Sequence, residues 1–141
     1  MTDAKNVRVG VGCWCFNPKG QLLLGQRLSS HGFGTWAPPG GKLEFGEDLQ
    51  KCAARELQEE TGIVVGANQF RQIFVTNDVF PGDHYITLHY VVTGVSAKPQ
   101  LMEHKKCAGW LWFDLDKLPA NLFLSAQNLL NQVNLRNFLT L

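Results

Sequence analysis

The order of patterned segments predicts an α/β fold with a mixed sheet between helices, and three observations carry that prediction. Two β-rich segments joined by a turn signal come first. One strongly patterned helix follows, and three more strand-like segments come after it. A last stretch then repeats its apolar residues at near-helical spacing. With 141 residues the chain is expected to form one domain over 1–141, long enough to bury a core.

Residues 7–16, VRVGVGCWCF, alternate and are rich in β-formers, which predicts the first strand. NPKG is a turn signal, and residues 21–27 return as a second strand. Residues 28–46 are rich in glycine and proline and have no period, so they predict a long loop, a kind that is usually functional. A helix is expected over 48–61, with Glu47 and Asp48 at the positive end of its dipole and Gly62 as its stop. Residues 69–80 and 84–95 predict two strands around the turn Pro81-Gly82-Asp83, and 107–115 a further one. In residues 118–139, Leu122, Ala126, Leu129, Leu130, Val133 and Phe138 predict a terminal amphipathic helix.

Thirteen basic residues balance twelve acidic ones, which excludes a broad nucleic-acid-binding surface. No apolar run reaches transmembrane length, and residues 1–12 lack the apolar core of a signal peptide. No membrane partner is expected. Cys13, Cys15, Cys52 and Cys107 contain no C-x-x-C pair, so they read as buried free thiols rather than zinc ligands, in a reducing, cytoplasmic setting.

The acids are unevenly placed. Glu44, Glu47, Asp48, Glu56, Glu59 and Glu60 are half of all Asp and Glu, within seventeen residues. On a helical wheel Leu49, Ala53 and Leu57 define the apolar stripe, with Glu56 and Glu60 beside it, Glu59 on its flank, and Gln50, Lys51 and Gln58 opposite. Like charges three and four apart repel, and a carboxylate turned toward the protein needs a partner. Converging carboxylates suit a hard divalent cation with oxygen ligands, above all one shared with substrate phosphates. The upstream PPGGKLEFGE supplies a glycine turn that a metal or phosphate can approach closely, and the Arg55 fork matches a carboxylate or a phosphate.

Gly41, Glu47, Arg55, Glu56, Leu57, Glu59, Glu60, Gly62 and Ile63 occupy every fixed position of G-x5-E-x7-R-E-U-x-E-E-x-G-U, where U is aliphatic. This resembles the Nudix box. The PPGG lead-in and the W-x-W…LP segment extend the resemblance over nearly the whole chain. It implies a Nudix α/β/α sandwich that hydrolyses a nucleoside diphosphate linked to another moiety, with Mg²⁺ or Mn²⁺ as cofactor. By the same resemblance Glu56, Glu59 and Glu60 are metal ligands or the base, and the Gly40 carbonyl is a further ligand. Glu47 supports the cluster and Arg55 orients a glutamate. The order of roles within the triplet stays open.

Within the family, PPGGKLEFGE, CAARE, the ND…HY segment and ME-x-x-KC-x-x-W-x-W most resemble MutT-type nucleoside triphosphate diphosphatases, in particular the plant and animal cytosolic subgroup acting on thiopurine triphosphates. That pattern places Glu103 near the metals; it reads equally as an exposed loop acid. Lys42 stands where the subgroup often has histidine, which leaves base and phosphate specificity open. Candidate substrate contacts are Arg27, Phe33, Trp36, Lys42, Thr87, Leu124 and Ser125, although each of the four tryptophans is read first as core. His31 is expected to be solvated, and His84 and His89 to share a strand face without a role. The implied activity is conversion of a deoxynucleoside, oxidised-purine or dihydroneopterin triphosphate to monophosphate and pyrophosphate. Hydrolysis of nucleotide sugars, ADP-ribose (for which Pro81 is the only pointer) or dinucleoside polyphosphates is the alternative, and a silent nucleotide-binding module a third reading. A small-molecule nucleotide is the expected partner, and a homodimer through the sheet edge is common in the subgroup.

Overall fold

A computed structural model describes residues 5–139; the ends of the expected domain, residues 1–4 and 140–141, lie outside them. Seven strands and two α-helices follow the predicted order: β1 (Arg8–Cys15), β2 (Leu22–Arg27), β3 (Trp36–Ala37), β4 (Gly40–Lys42), α1 (Leu49–Thr61), β5 (Arg71–Phe80), β6 (Asp83–Val92), β7 (Cys107–Phe113) and α2 (Leu124–Leu130). The sheet layer between the helices is split in two. One sheet runs β4-β1-β6-β5, with β1 and β6 parallel and the other pairs antiparallel; the second, antiparallel, runs β3-β2-β7.

Strand alternation sorts β1 between two cores. Val11, Cys13 and Cys15 join Leu88, Tyr90 and Val92 of β6 beneath Cys52, Ala53 and Leu57 of α1. Trp14 and Phe16 face the other way, packing with Leu22, Leu24 and Val91 against Ala126 and Leu129 of α2. All four cysteines are free and buried, and burial pushes the Cys15 thiol up to about 12, which makes it inert. Trp14 is fully buried, and Trp36, Trp110 and Trp112 pack against the cores, as their core reading requires. No described helix is long and apolar enough to cross a membrane.

Three expectations change. The long loop contains β3 and β4, each too short to show a period, and both pair with neighbours distant in sequence. The terminal helix is shorter than its apolar pattern: α2 ends at Leu130, a turn follows, and a 3-10 helix covers Leu135–Phe138. Asn134 accepts a hydrogen bond from the Arg136 amide, the local side-chain bonding by which asparagine competes with a continuous helix. Val133, Leu135 and Phe138 still reach the α2-side core, so the apolar rhythm survives the break. His84 and His89, five apart in one strand, lie on opposite faces: His84 bonds Asn77 at the surface, whereas His89 is 1% exposed.

Candidate active site

Helix α1 begins where Asp48 accepts the Lys51 amide and ends where Gly62 takes a left-handed φ of 74°. Trp110 of β7 donates its indole N–H to the Glu60 carbonyl at 3.1 Å, tying the last turn to the second sheet. The helix therefore holds its glutamates in fixed register against β4.

Arg55 organises this face. Its Nε and Nη2 grip both oxygens of Glu47, at 2.6 and 3.0 Å. Its Nη1 reaches Glu56 at 2.9 Å and Glu59 at 3.0 Å, and Nη2 also donates to the Lys42 carbonyl. The fork holds the Glu47 carboxyl down at about 2, chiefly through these hydrogen bonds. Glu59 is half exposed, while Glu56 is largely covered and burial raises its pKa.

Glu60 is the most perturbed carboxyl of the cluster. Burial pushes it up to about 8, and Glu56 and Glu103 add like-charge repulsion; the Gly40 amide, donating at 2.8 Å, and the charge of Arg27 pull the other way. The backbone of β4 comes so close to its neighbours that a side chain at either glycine would displace something. A Cβ on Gly41 would overlap the Glu56 carboxyl, and one on Gly40 would overlap the Val11 carbonyl.

The remaining predicted residues are distributed around this centre. Glu103 is partly exposed, 3.7 Å from Lys106, and its charge raises both Glu56 and Glu60. Arg27 lies 4.4 Å over the Phe123 ring and donates to the His31 carbonyl and the Ser29 hydroxyl. Lys42 and Phe33 have exposed side chains. Leu124 and Ser125 begin α2, and Thr87 stands on the face of β6 turned away from α1. Pro81 is exposed in the β5–β6 turn. His31 is half-buried rather than fully solvated. It packs edge-on against Phe80 and Phe123, lies 3.7 Å from Asp83, and burial lowers its pKa. Phe80, Tyr85 and Phe123 escaped the sequence reading because they converge only through the hairpin and the approach to α2.

Among the described residues no three His, Cys, Asp or Glu side chains already stand as a metal cage. The donor set nevertheless fits a hard cation. Glu60 is covered and receives one backbone hydrogen bond, Glu56 lies against the bare backbone of Gly41, and the repulsion between these acids is what a divalent ion removes.

A helix presenting covered carboxylates to a glycine backbone, under the control of one arginine, is suited to hold a divalent ion against phosphate oxygens. Residues 6–133 match the NUDIX domain, and the chain belongs to the Nudix family as a Nudix hydrolase of the pyrophosphohydrolase type. It is 34% identical over 105 residues to the 8-oxo-dGTP diphosphatase of Proteus vulgaris, covering 74% of this chain and 90% of that one. It is 28% identical over 103 residues to the ADP-ribose pyrophosphatase of Methanocaldococcus jannaschii, where the match spans 73% of this chain but only 60% of the relative. The crystal structure of a MutT NUDIX hydrolase from Burkholderia pseudomallei superposes with a TM-score of 0.83 at 29% identity, covering 92% of this chain and all of that one.

Proposed function

We propose that the chain hydrolyses nucleoside triphosphates, including deoxynucleotides and oxidised-purine nucleotides, to the monophosphate and pyrophosphate. One water is consumed and the bond between the α- and β-phosphates is broken. The observation that carries this reading is the covered Glu60–Glu56 pair facing the Gly40–Gly41 backbone, set in the complete box. Likeness to the Proteus enzyme over nine-tenths of that enzyme's length supports the triphosphate class.

Glu56, Glu59, Glu60, the Gly40 carbonyl and Glu103 would hold Mg²⁺ or Mn²⁺. When bound, that ion neutralises phosphate charge and acidifies water. Arg55 keeps Glu47, Glu56 and Glu59 in register, and Glu60, whose burial disfavours its charged form, is the carboxylate that a bound cation would favour most. Arg27 and Lys42 serve the phosphates, and Phe33, Thr87, Leu124 and Ser125 the nucleoside. A homodimer through Val75 and Val79, exposed on edge strand β5, and cytoplasmic residence belong to the same reading.

The test is ³¹P NMR of the products formed with Mg²⁺ from common deoxynucleoside triphosphates, 8-oxo-dGTP, ADP-ribose, a nucleotide sugar and a dinucleoside tetraphosphate. Pyrophosphate and monophosphate from the triphosphates are expected. Cleavage of ADP-ribose or the dinucleotide alone would overturn the substrate class and retain the chemistry.

A further inference from the structure

The face of the first sheet turned away from α1 carries a polar chain that the hydrolytic cluster does not use. Trp14 donates its indole N–H to His89 Nδ1 at 2.9 Å. An indole nitrogen only donates, so Nδ1 is the acceptor and the imidazole proton sits on Nε2. Nε2 lies 2.8 Å from Thr76 Oγ1 and therefore donates to it. The Thr76 hydroxyl passes the direction on to Asp78 Oδ2 at 3.1 Å. Asn128 of α2 donates to the other oxygen, Oδ1, at 2.8 Å. Every proton in this chain has a determined direction, and all of them point toward Asp78.

Thr87 makes the last contact. Its hydroxyl donates to Asp78 Oδ2 at 2.5 Å, so its single proton is committed inward. What the hydroxyl offers outward is a lone pair. Thr87 is paired in register with Gly10 of β1, and a Cβ on Gly10 would stand 3.7 Å from Thr87 Oγ1. The glycine adds no side chain there, so the space beside Thr87 is bounded by the Tyr85 ring at 3.5 Å and the Gly41 carbonyl at 3.6 Å from that point. Asp78 is 0% exposed and Thr87 7%, so of the two only the threonine has any surface to offer a ligand.

We infer that Asp78 is a specificity-determining positioning residue: it fixes the Thr87 hydroxyl as a hydrogen-bond acceptor, so that the nucleoside site favours bases presenting an N–H donor. This inference rests on the triphosphate reading and on Thr87 contacting the base. Guanine, with N1–H and a 2-amino group, fits; a base edge holding only ring-nitrogen acceptors faces lone pair against lone pair. Sites built on such buried polar groups discriminate more strongly against a missing partner than apolar pockets do.

The experiment compares kcat/KM for dGTP with that for the deoxyribonucleoside triphosphate of unsubstituted purine, which has no base donor. Wild type is expected to favour dGTP. Thr87→Val keeps the shape and removes the acceptor, and should lower the dGTP-to-purine ratio by about fivefold or more, through KM. Thr87→Ser restores the hydroxyl and should restore the ratio. Asp78→Asn can donate its amide to Thr87 Oγ1, releasing the hydroxyl proton outward, and should also shift the ratio toward purine. A purely structural role would lower stability or both rates together and leave the ratio unmoved. An unmoved ratio in Thr87→Val, with both triphosphates turned over, overturns the inference alone, even if Asp78→Asn fails to fold. A wild type that prefers purine overturns it as well. A wild type that cleaves neither triphosphate overturns the substrate reading and the inference with it.

Discussion

At the residue scale the site is governed by what burial does to charge. Glu60 carries its charge at a disadvantage in the free protein, because burial and the neighbouring acids hold its carboxyl at about 8. Glu60→Gln is therefore expected to lose at least about a hundredfold in kcat, while its melting temperature at pH 8 stays equal or rises. Thermal melts beside steady-state rates check this, and an active, destabilised variant would remove Glu60 from the site. His89 gives the opposite dependence on pH. Burial lowers it from 6.5 to about 4, so between those values the unfolded chain binds more protons than the folded one. The stability that neutral His89 contributes is complete above pH 6.5 and is lost as pH falls toward 4, a difference on the order of 3 kcal/mol. Urea melts from pH 4 to 7 should show that slope in wild type and a flatter one in His89→Gln, whatever the offset between the two proteins.

At the element scale β4 makes two adjacent glycines do different things. A Cβ on Gly41 meets the end of the Glu56 side chain, which can swing away, whereas one on Gly40 meets the backbone of β1, which cannot. Gly41→Ala should therefore lower activity by about a hundredfold or more with under about 1 kcal/mol of stability lost. Gly40→Ala should cost about 2 kcal/mol or more by forcing β4 from β1. Denaturant midpoints and rates on the two variants separate them, and equal stability loss would contradict the geometry. The same strand shows why some elements were legible in the sequence and others were not. Helix α1 has thirteen residues, an Asp48 cap and a Gly62 stop, so its pattern and its ends both speak. Strands β3 and β4 have two and three residues, and their existence is settled by pairing with β2 and β1, which no local window contains. In the C-terminal stretch, burial on one core kept an apolar rhythm through a helix break that the Asn134 side chain, accepting from the Arg136 amide, made favourable.

At the scale of the whole molecule, the acidic cluster was legible because its fixed spacing lies within one stretch of twenty-three residues, Gly41 to Ile63. The surroundings of Arg27 and of Asp78 were less legible, because Arg27 meets Phe123, and Asp78 meets Thr76, Thr87 and Asn128, only after the sheets and α2 have packed. This division has a consequence for stability. The formal net charge is only +1, so added salt has little global repulsion to screen, while the local repulsion among Glu56, Glu60 and Glu103 is an ion's to relieve. An ion that binds the folded chain and not the unfolded one stabilises by mass action, by about 2.7 kcal/mol at a hundred times its dissociation constant. Millimolar Mg²⁺ should thus raise the melting temperature of wild type by several degrees, and sodium chloride at equal ionic strength should not. Because Glu60→Gln has already lost the charge that the ion neutralises, its shift with Mg²⁺ should be smaller than that of wild type. Equal shifts in the two proteins would place the ion elsewhere and remove the box glutamates from its coordination.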